Sequence, residues 1–527
     1  MKYDFTSIID RRGLDAVAVD GIGGYHWGTE PDAPREGFDA IPMWVADMNF
    51  ATVPTIPEAI IERAKHPLYG YFAPRQEYYD SIIRWHETRN GVTGLSAEHI
   101  GYENGVLGGV ISALNVICSR GDNVLIHSPT YVGFTGSLNN NGYHMVHSPL
   151  LRDAEGIWRM DFEDMERKIV ENRIHAAVFC SPHNPTGRVW ERWELERFME
   201  LCAKYDVYVV SDEIWSDIIL AGYKHIPTQS VSEDARERTV ALYAPSKTFN
   251  LAGLIGSYHI IYNRWLRERV EKESSLAHYN DMNVLSMHAL IGAYKPEGCE
   301  WVDELLHVLT ANADYACGYI SSRFDGVSLS RPQGTYMLFL DCTDWFAKHG
   351  KDQGELIKAG WDVGVAWQDG RAFNGECHIR MNLALPASRV QAALPTSCSS
   401  AASHRAARRS PSSAQNSGAA SSASSTRRVC VSTSPSPCQR GSCGVSPRGR
   451  RRTPRGESSA ASSPPPPEGA GTSAASAAQP PLIFAASRPP GGRAPPAGGP
   501  AHSGLWAGRA SGCLSCPPPG RRRRARI

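Results

Sequence analysis

Lys247 lies in Ser246-Lys247-Thr248-Phe249-Asn250, directly after the apolar run Thr239 to Tyr243. That run reads as a buried strand. A lysine at a strand end, among small residues, faces a cleft more readily than open solvent. Partial desolvation lowers an ammonium's pKa and frees its lone pair to attack a carbonyl. Taken alone, Lys247 would be an ordinary solvated lysine. Its company changes the reading: Asn184-Pro185-Thr186-Gly187-Arg188, Asp212-Glu213-Ile214 and His378-Ile379-Arg380 stand in order around it. Arg380 supplies a guanidinium that can grip a carboxylate through two hydrogen bonds, or else make a structural salt bridge. Asp212 can hold a buried cation, or cap a turn; Glu213 beside it reads as the solvated acid of the pair. Asn104-Gly105-Val106-Leu107-Gly108-Gly109 opens a helix running to about Cys118. Its free N–H groups and the positive end of its dipole favour an anion, although a plain small-residue cap has the same sequence.

These groups need a scaffold that aims them at one place. Asn123 to His127, Ala176 to Cys180, Tyr205 to Val210, Thr239 to Tyr243 and Ser257 to Ile261 read as strands, separated by helical patterns such as Trp190 to Lys204. Continuous apolar strands alternating with helices predict a mostly parallel α/β sheet covered on both faces. Ligands bind such sheets outside the strand carboxyl ends. Asn184, Asp212 and Lys247 each follow a predicted strand, at that edge. Pro57 to Lys65 and Glu77 to Asn90 carry apolar residues at helical spacing, with Tyr69-Gly70-Tyr71-Phe72 between them. From about residue 286 the pattern changes to a long helix and then short strands, such as Gly334 to Asp341 and the segment around Arg380. The glycines at Gly21 to Gly24 follow no strand and read as a turn, not a dinucleotide fingerprint.

Taken together, "YDF…DRRG" at Tyr3 to Gly13, "PMWVADMNF" at Pro42 to Phe50, "YGYF", "NPTGR", "DEIWSD" and "APSKTFNLAG" resemble the fold-type I pyridoxal-phosphate enzymes. The fuller text is similar to the cystathionine β-lyase and maltose-regulon modulator group, over residues 1 to about 390. The resemblance implies an arm at 1–47, a large cofactor-binding domain at 48–285 with a seven-stranded-type sheet, and a small α+β domain at 286–390. It implies pyridoxal 5'-phosphate carried covalently by Lys247 and no metal. Asp212 would pair with the ring nitrogen, Asn184 would donate to the ring oxygen, and Tyr131 would stack on the ring. Val106, Leu107 and Ser246 would hold the phosphate, joined by Tyr71 from a neighbouring subunit, so the enzyme would be a homodimer. Arg380 would bind the α-carboxylate of an amino acid substrate. The implied reaction is α,β-elimination from cystathionine, cysteine or an S-substituted cysteine, giving a thiol, pyruvate and ammonia. An aminotransferase of the same fold uses the same groups, and a non-catalytic regulator of a transcription activator is the alternative of another class. Asn49 and Trp215 depart from the group, which usually shows Asp at the first position and often His or Tyr at the second.

Formal net charge is +1 over 527 residues, but the average hides two unlike parts. Residues 391–527 hold 19 Arg, no Lys and two acids, so residues 1–390 carry about −16. A body that acidic is a poor nucleic-acid binder and suits a small-molecule enzyme. Seven of the 13 cysteines fall in the body without regular spacing, as expected of buried thiols in a reducing cytoplasm. Met1 to Arg12 has no apolar signal core, and no run reaches the roughly 18 apolar residues of a membrane span.

Residues 391–527 are dominated by Ser, Ala, Pro, Gly and Arg, a composition expected to stay disordered. Lys and acids vanish together where the family would continue with closing helices, which suggests a shifted reading frame. Without those helices an exposed apolar face beside Arg380 is expected, with poor solubility or a loose carboxylate site. Cys513 and Cys516 form a lone CxxC with no partner pair.

Overall fold

The computed structural model describes residues 1–24, 28–276 and 279–394; the tail and its cysteine pair lie outside the described residues. Seven strands form the main sheet: β1 (Ile100–Glu103), β2 (Asn123–Ser128), β3 (His144–Pro149), β4 (Ala176–Cys180), β5 (Tyr208–Asp212), β6 (Thr239–Tyr243) and β7 (Ser257–Ile260). Their order is β1-β7-β6-β5-β4-β2-β3, and β7 runs antiparallel to both of its neighbours while the other pairings are parallel. The mostly parallel sheet expected from the apolar runs is thus present, with one reversed strand.

Alternation explains the continuous apolar runs. Val124, Ile126, Val178, Val210 and Val240 enter one core together with Val110 and Leu114 of a helix. Leu125, Phe179 and Val209 enter a second core with Leu195 and Phe198. The inner strands are covered on both faces, so most of their side chains are apolar. The covering helices are α1 (Val106–Ile117) on the first face and α2 (Arg192–Lys204) on the second. Gly109 of α1 is the point of closest approach: a Cβ there would lie 2.6 Å from Leu242 Cδ2. The short helix α3 (Pro245–Thr248) follows β6 and carries Lys247.

One predicted strand of the main sheet begins late, and Ile100–Glu103 and His144–Pro149 are strands with no sequence prediction. Tyr205 to Val210 begins at Tyr208, because Asp206 has φ +53° and Val207 still closes the preceding helix turn. His144–Pro149 was not anticipated; it is an edge strand with several partly exposed residues and weak apolar character.

A second sheet of four strands holds β8 (Ser328–Leu329), β9 (Met337–Asp341), β10 (Gln368–Asp369) and β11 (His378–Asn382), in the order β8-β9-β11-β10. Its long neighbour is the helix α4 (Pro296–Arg323). Ile41–Pro42 pairs in parallel with Val365–Ala366, tying the N-terminal segment to this part of the chain. Among the described residues no helix is long and apolar enough to cross a membrane.

Candidate active site

A cleft of about 340 Å³ opens at the carboxyl edge of the main sheet. The strands explain its position. Asp212 is the last residue of β5, Asn184 follows β4 by four residues, and Lys247 follows β6 by four. Of the residues expected at the site, Val106, Leu107, Tyr131, Asn184, Asp212, Ser246 and Lys247 all line this cleft.

Lys247 Nζ donates to the Ala46 carbonyl at 2.9 Å. Burial, with Arg380 nearby, pushes its ammonium down to about 8, against the pull of Asp47 and Asp212. Near neutrality such an amine can shed its proton far more readily than a solvated lysine. Asp212 is displaced the other way. Burial raises its carboxyl to about 7, opposed by the Ile214 backbone N–H, which donates to Oδ1 at 3.0 Å, and by Lys247. A buried carboxylate so poorly compensated is a site for a cation. At the far wall, Gly105 takes φ +80° and releases the chain into α1. The first N–H groups of that helix have no helical acceptor and favour an anion. The donor set therefore fits one flat molecule carrying an anion, a carbonyl and a protonatable ring nitrogen.

Arg380 lies on β11, buried beside the cleft and not part of its lining. Its Nη1 donates to Asn184 Oδ1 at 3.2 Å; its Nη2 donates to the Trp44 carbonyl at 2.8 Å and to Gln368 Oε1 at 2.5 Å. The guanidinium stacks over Phe373 at 4.3 Å, and its Nε is buried with no hydrogen-bond partner. Burial pushes its pKa down to about 10, so it stays a cation at neutral pH.

The strap Trp44 to Asn49 crosses the site and is fastened by side chains from several elements. Asn382 Nδ2 donates to the Val45 and Asp47 carbonyls at 2.8 and 2.6 Å. Asn250 and Met48 exchange two bonds, Nδ2 to the carbonyl at 2.9 Å and N–H to Oδ1 at 3.1 Å. Arg11 pairs with Asp47 at 2.6 Å and reaches Asn49 Oδ1 at 3.2 Å.

Glu213 corrects an expectation. It is not solvated but wholly buried, accepting from Ser211 Oγ and the Thr228 N–H at 3.0 Å each and from Tyr243 OH at 2.7 Å, with His225 Nε2 at 2.8 Å. Alternation past the strand end turns it away from Asp212 into the core. Arg188 is also buried, away from the cleft, binding the Trp158 carbonyl at 3.0 Å, Gln333 Oε1 and Glu194. Tyr71 is fully exposed and does not line the cleft of its own chain.

Sequence reasoning did not single out Ala46, Ile255 or Ser257, which also line the cleft. Ser257 starts β7, and only because β7 is reversed does its first residue reach the carboxyl edge of the others. Ile255 is left-handed at φ +45°, a costly conformation for a β-branched residue, and its carbonyl accepts from Tyr102 OH at 2.9 Å.

The sequence profile described as aminotransferase class I and II matches residues 40–395. Cystathionine β-lyase PatB of Bacillus subtilis is 35% identical over 346 residues, 65% of this chain and 88% of that protein. Protein MalY of Escherichia coli is 29% identical over 401 residues, 74% of this chain and 96% of the relative. The crystal structure of the PLP-bound C–S lyase from Staphylococcus hominis, 32% identical, superposes with a TM-score of 0.68 over 76% of this chain and 98% of that one. This chain belongs to the aminotransferase class I and II family, with the fold-type I pyridoxal-phosphate architecture and a place in the cystathionine β-lyase group.

Proposed function

We propose that the cleft binds pyridoxal 5'-phosphate on Lys247 and cleaves the Cβ–S bond of an S-substituted cysteine. The chain is a pyridoxal-phosphate-dependent carbon–sulfur lyase of the cystathionine β-lyase type. One observation carries the residue assignment: a buried amine with depressed pKa and a buried, poorly compensated carboxylate share a cleft whose wall is a helix N-terminus. When bound, the cofactor supplies an electron sink for the pair left when the Cα–H bond breaks.

The chain's own residues do the rest. Asp212 would pair with the cofactor's ring nitrogen and keep its proton in place. Val106, Leu107 and Ser246 receive the phosphate, Asn184 the ring oxygen, and Tyr131 the ring face. Arg380 would grip the substrate carboxylate, and its bond to Asn184 supports that role beside the cofactor site. Lys247 takes the Cα proton once its amine is free, and the sulfur leaves Cβ as a thiolate with the bonding pair. Hydrolysis of the three-carbon remainder yields pyruvate and ammonia.

The sheet boundaries support a large domain at 48–285 and a small one at 286–390, with 1–47 as an arm. The exposed aromatic turn Tyr69 to Phe72 supports a homodimer in which Tyr71 reaches the partner's phosphate site. A cytoplasmic location fits the free thiols among the described residues.

The test supplies cystathionine to the cofactor-loaded protein and measures pyruvate against 2-oxo-acid-dependent amino transfer. Borohydride reduction followed by peptide mapping should place the cofactor on Lys247. Amino transfer without pyruvate, or a label elsewhere in folded protein, would refute the assignment.

A further inference from the structure

The lyase reading leaves open what the sulfur carries away, and the cleft walls address that. Among the described residues only two charged side chains line the cleft, Asp212 and Lys247, and both are committed to the cofactor. Arg380 beside it is committed to the α-carboxylate. Asp47, whose charge also acts on Lys247, is already paired with Arg11 at 2.6 Å.

The wall next to the reactive amine is aromatic. Trp215 lines the cleft with its ring centroid 5.8 Å from Lys247 Nζ and is 2% exposed. It is held edge-on against Tyr336, with ring centroids 4.7 Å apart and planes at 76°. Tyr336 is itself buried, and burial holds its phenol well above the usual range, so it stays neutral. Ala46 and Ile255 continue the apolar lining. A thioether sulfur gains from contact with an aromatic ring. A charged group brought against the same wall loses water and meets no opposite charge there, a cost that hydrophobic contact does not recover.

We propose that Trp215, braced by Tyr336, is a specificity-determining residue, and that the enzyme prefers cysteine thioethers whose S-substituent is small and uncharged. Cystathionine, whose far end bears an ammonium and a carboxylate, is the disfavoured member of the class. This rests on the lyase reading of the site.

The experiment compares S-ethyl-L-cysteine with L-cystathionine, both of which release an alkyl thiolate, so the chemical step is matched. In cofactor-loaded wild type, kcat/KM for S-ethyl-L-cysteine should exceed that for cystathionine by about tenfold or more, the scale of one unpaired charge at a pocket wall. Trp215→His should shrink the ratio mainly by lowering KM for cystathionine, whereas Trp215→Phe should keep it. Calorimetric Kd values for both amino acids, measured on cofactor-loaded Lys247→Ala with and without Trp215→His, should show the same ratio without turnover. A wild type that favours cystathionine, or a ratio unmoved by Trp215→His, overturns the proposal while pyruvate release upholds the lyase reading. Absence of pyruvate with the Kd ratio intact refutes the lyase reading and leaves the wall's selectivity standing.

Discussion

Thr248 Oγ1 donates to Asp217 Oδ2 at 2.9 Å, so the residue after Lys247 is bound to a buried acid on the loop that follows Asp212. The same carboxylate receives the Trp85 indole N–H at 3.1 Å. Burial raises the Asp217 carboxyl, against the pull of Arg89 and these two donors.

Removing the Thr248 hydroxyl leaves that carboxylate short of a donor in the core. Thr248→Val should lose about 1–3 kcal/mol of stability, the usual cost of an unsatisfied buried acceptor. Urea denaturation measures it. A parallel fall in kcat with little change in KM would show that the contact also fixes the position of Lys247.

The raised Asp212 carboxyl gives a pH signature in the cofactor-free protein. Its folded pKa, about 7, lies above its ordinary value near 3.8. Below that ordinary value the group is neutral in both states and costs nothing. As pH rises toward 7 the unfolded chain ionises first, and folding stability falls. Asp212→Asn should remove this slope, so the variant should gain on wild type between pH 4 and 7 in thermal melts. Adding cofactor to wild type should flatten the slope, because a cation beside Asp212 restores its ionisation.

Glu213 has the opposite sign. Burial raises its carboxyl, but His225, Tyr243 and the Thr228 N–H outweigh that and hold it below its ordinary value. Its contribution is therefore present above the unfolded pKa and is lost as acid protonates it. Breaking such a buried cluster by Glu213→Gln should destabilise by about 3–5 kcal/mol. Calorimetry at pH 7 and pH 4 should show the gap between wild type and variant narrowing in acid.

Tyr71 offers a test of the assembly. Tyr71→Ala and Lys247→Ala should each give a weak or inactive enzyme. Co-refolded, they should regain activity, because one site of each hybrid pairs an intact Lys247 with an intact Tyr71 from the other chain. No recovery in hybrids isolated by two affinity tags would show that Tyr71 serves its own chain.

Much of the site could be read from the sequence because its residues follow strands buried on both faces. Thr239 to Tyr243 and Ala176 to Cys180 have no polar interruption, so their ends, and hence Lys247 and Asn184, were fixed to within a residue. Ser257 could not be placed in the cleft, since its strand's reversal depends on pairing partners far away in the chain. Ala46 enters through a carbonyl, which no side-chain pattern reveals. Glu213 was misread because a charged residue beside an acid looks solvated until His225, twelve residues on, turns back to meet it.

The strap from Trp44 to Asn49 is fastened by Arg380 and Asn382, which lie at the other end of the described chain. A ribosome thus delivers the reactive amine long before it delivers the last side chains that secure its roof. Nascent chains stopped before β11 would hold Lys247, Asp212, α1 and the Asn250 grip on Met48, yet lack the two clasps that Arg380 and Asn382 place on the strap. The roof is therefore fully secured only when the final strand emerges.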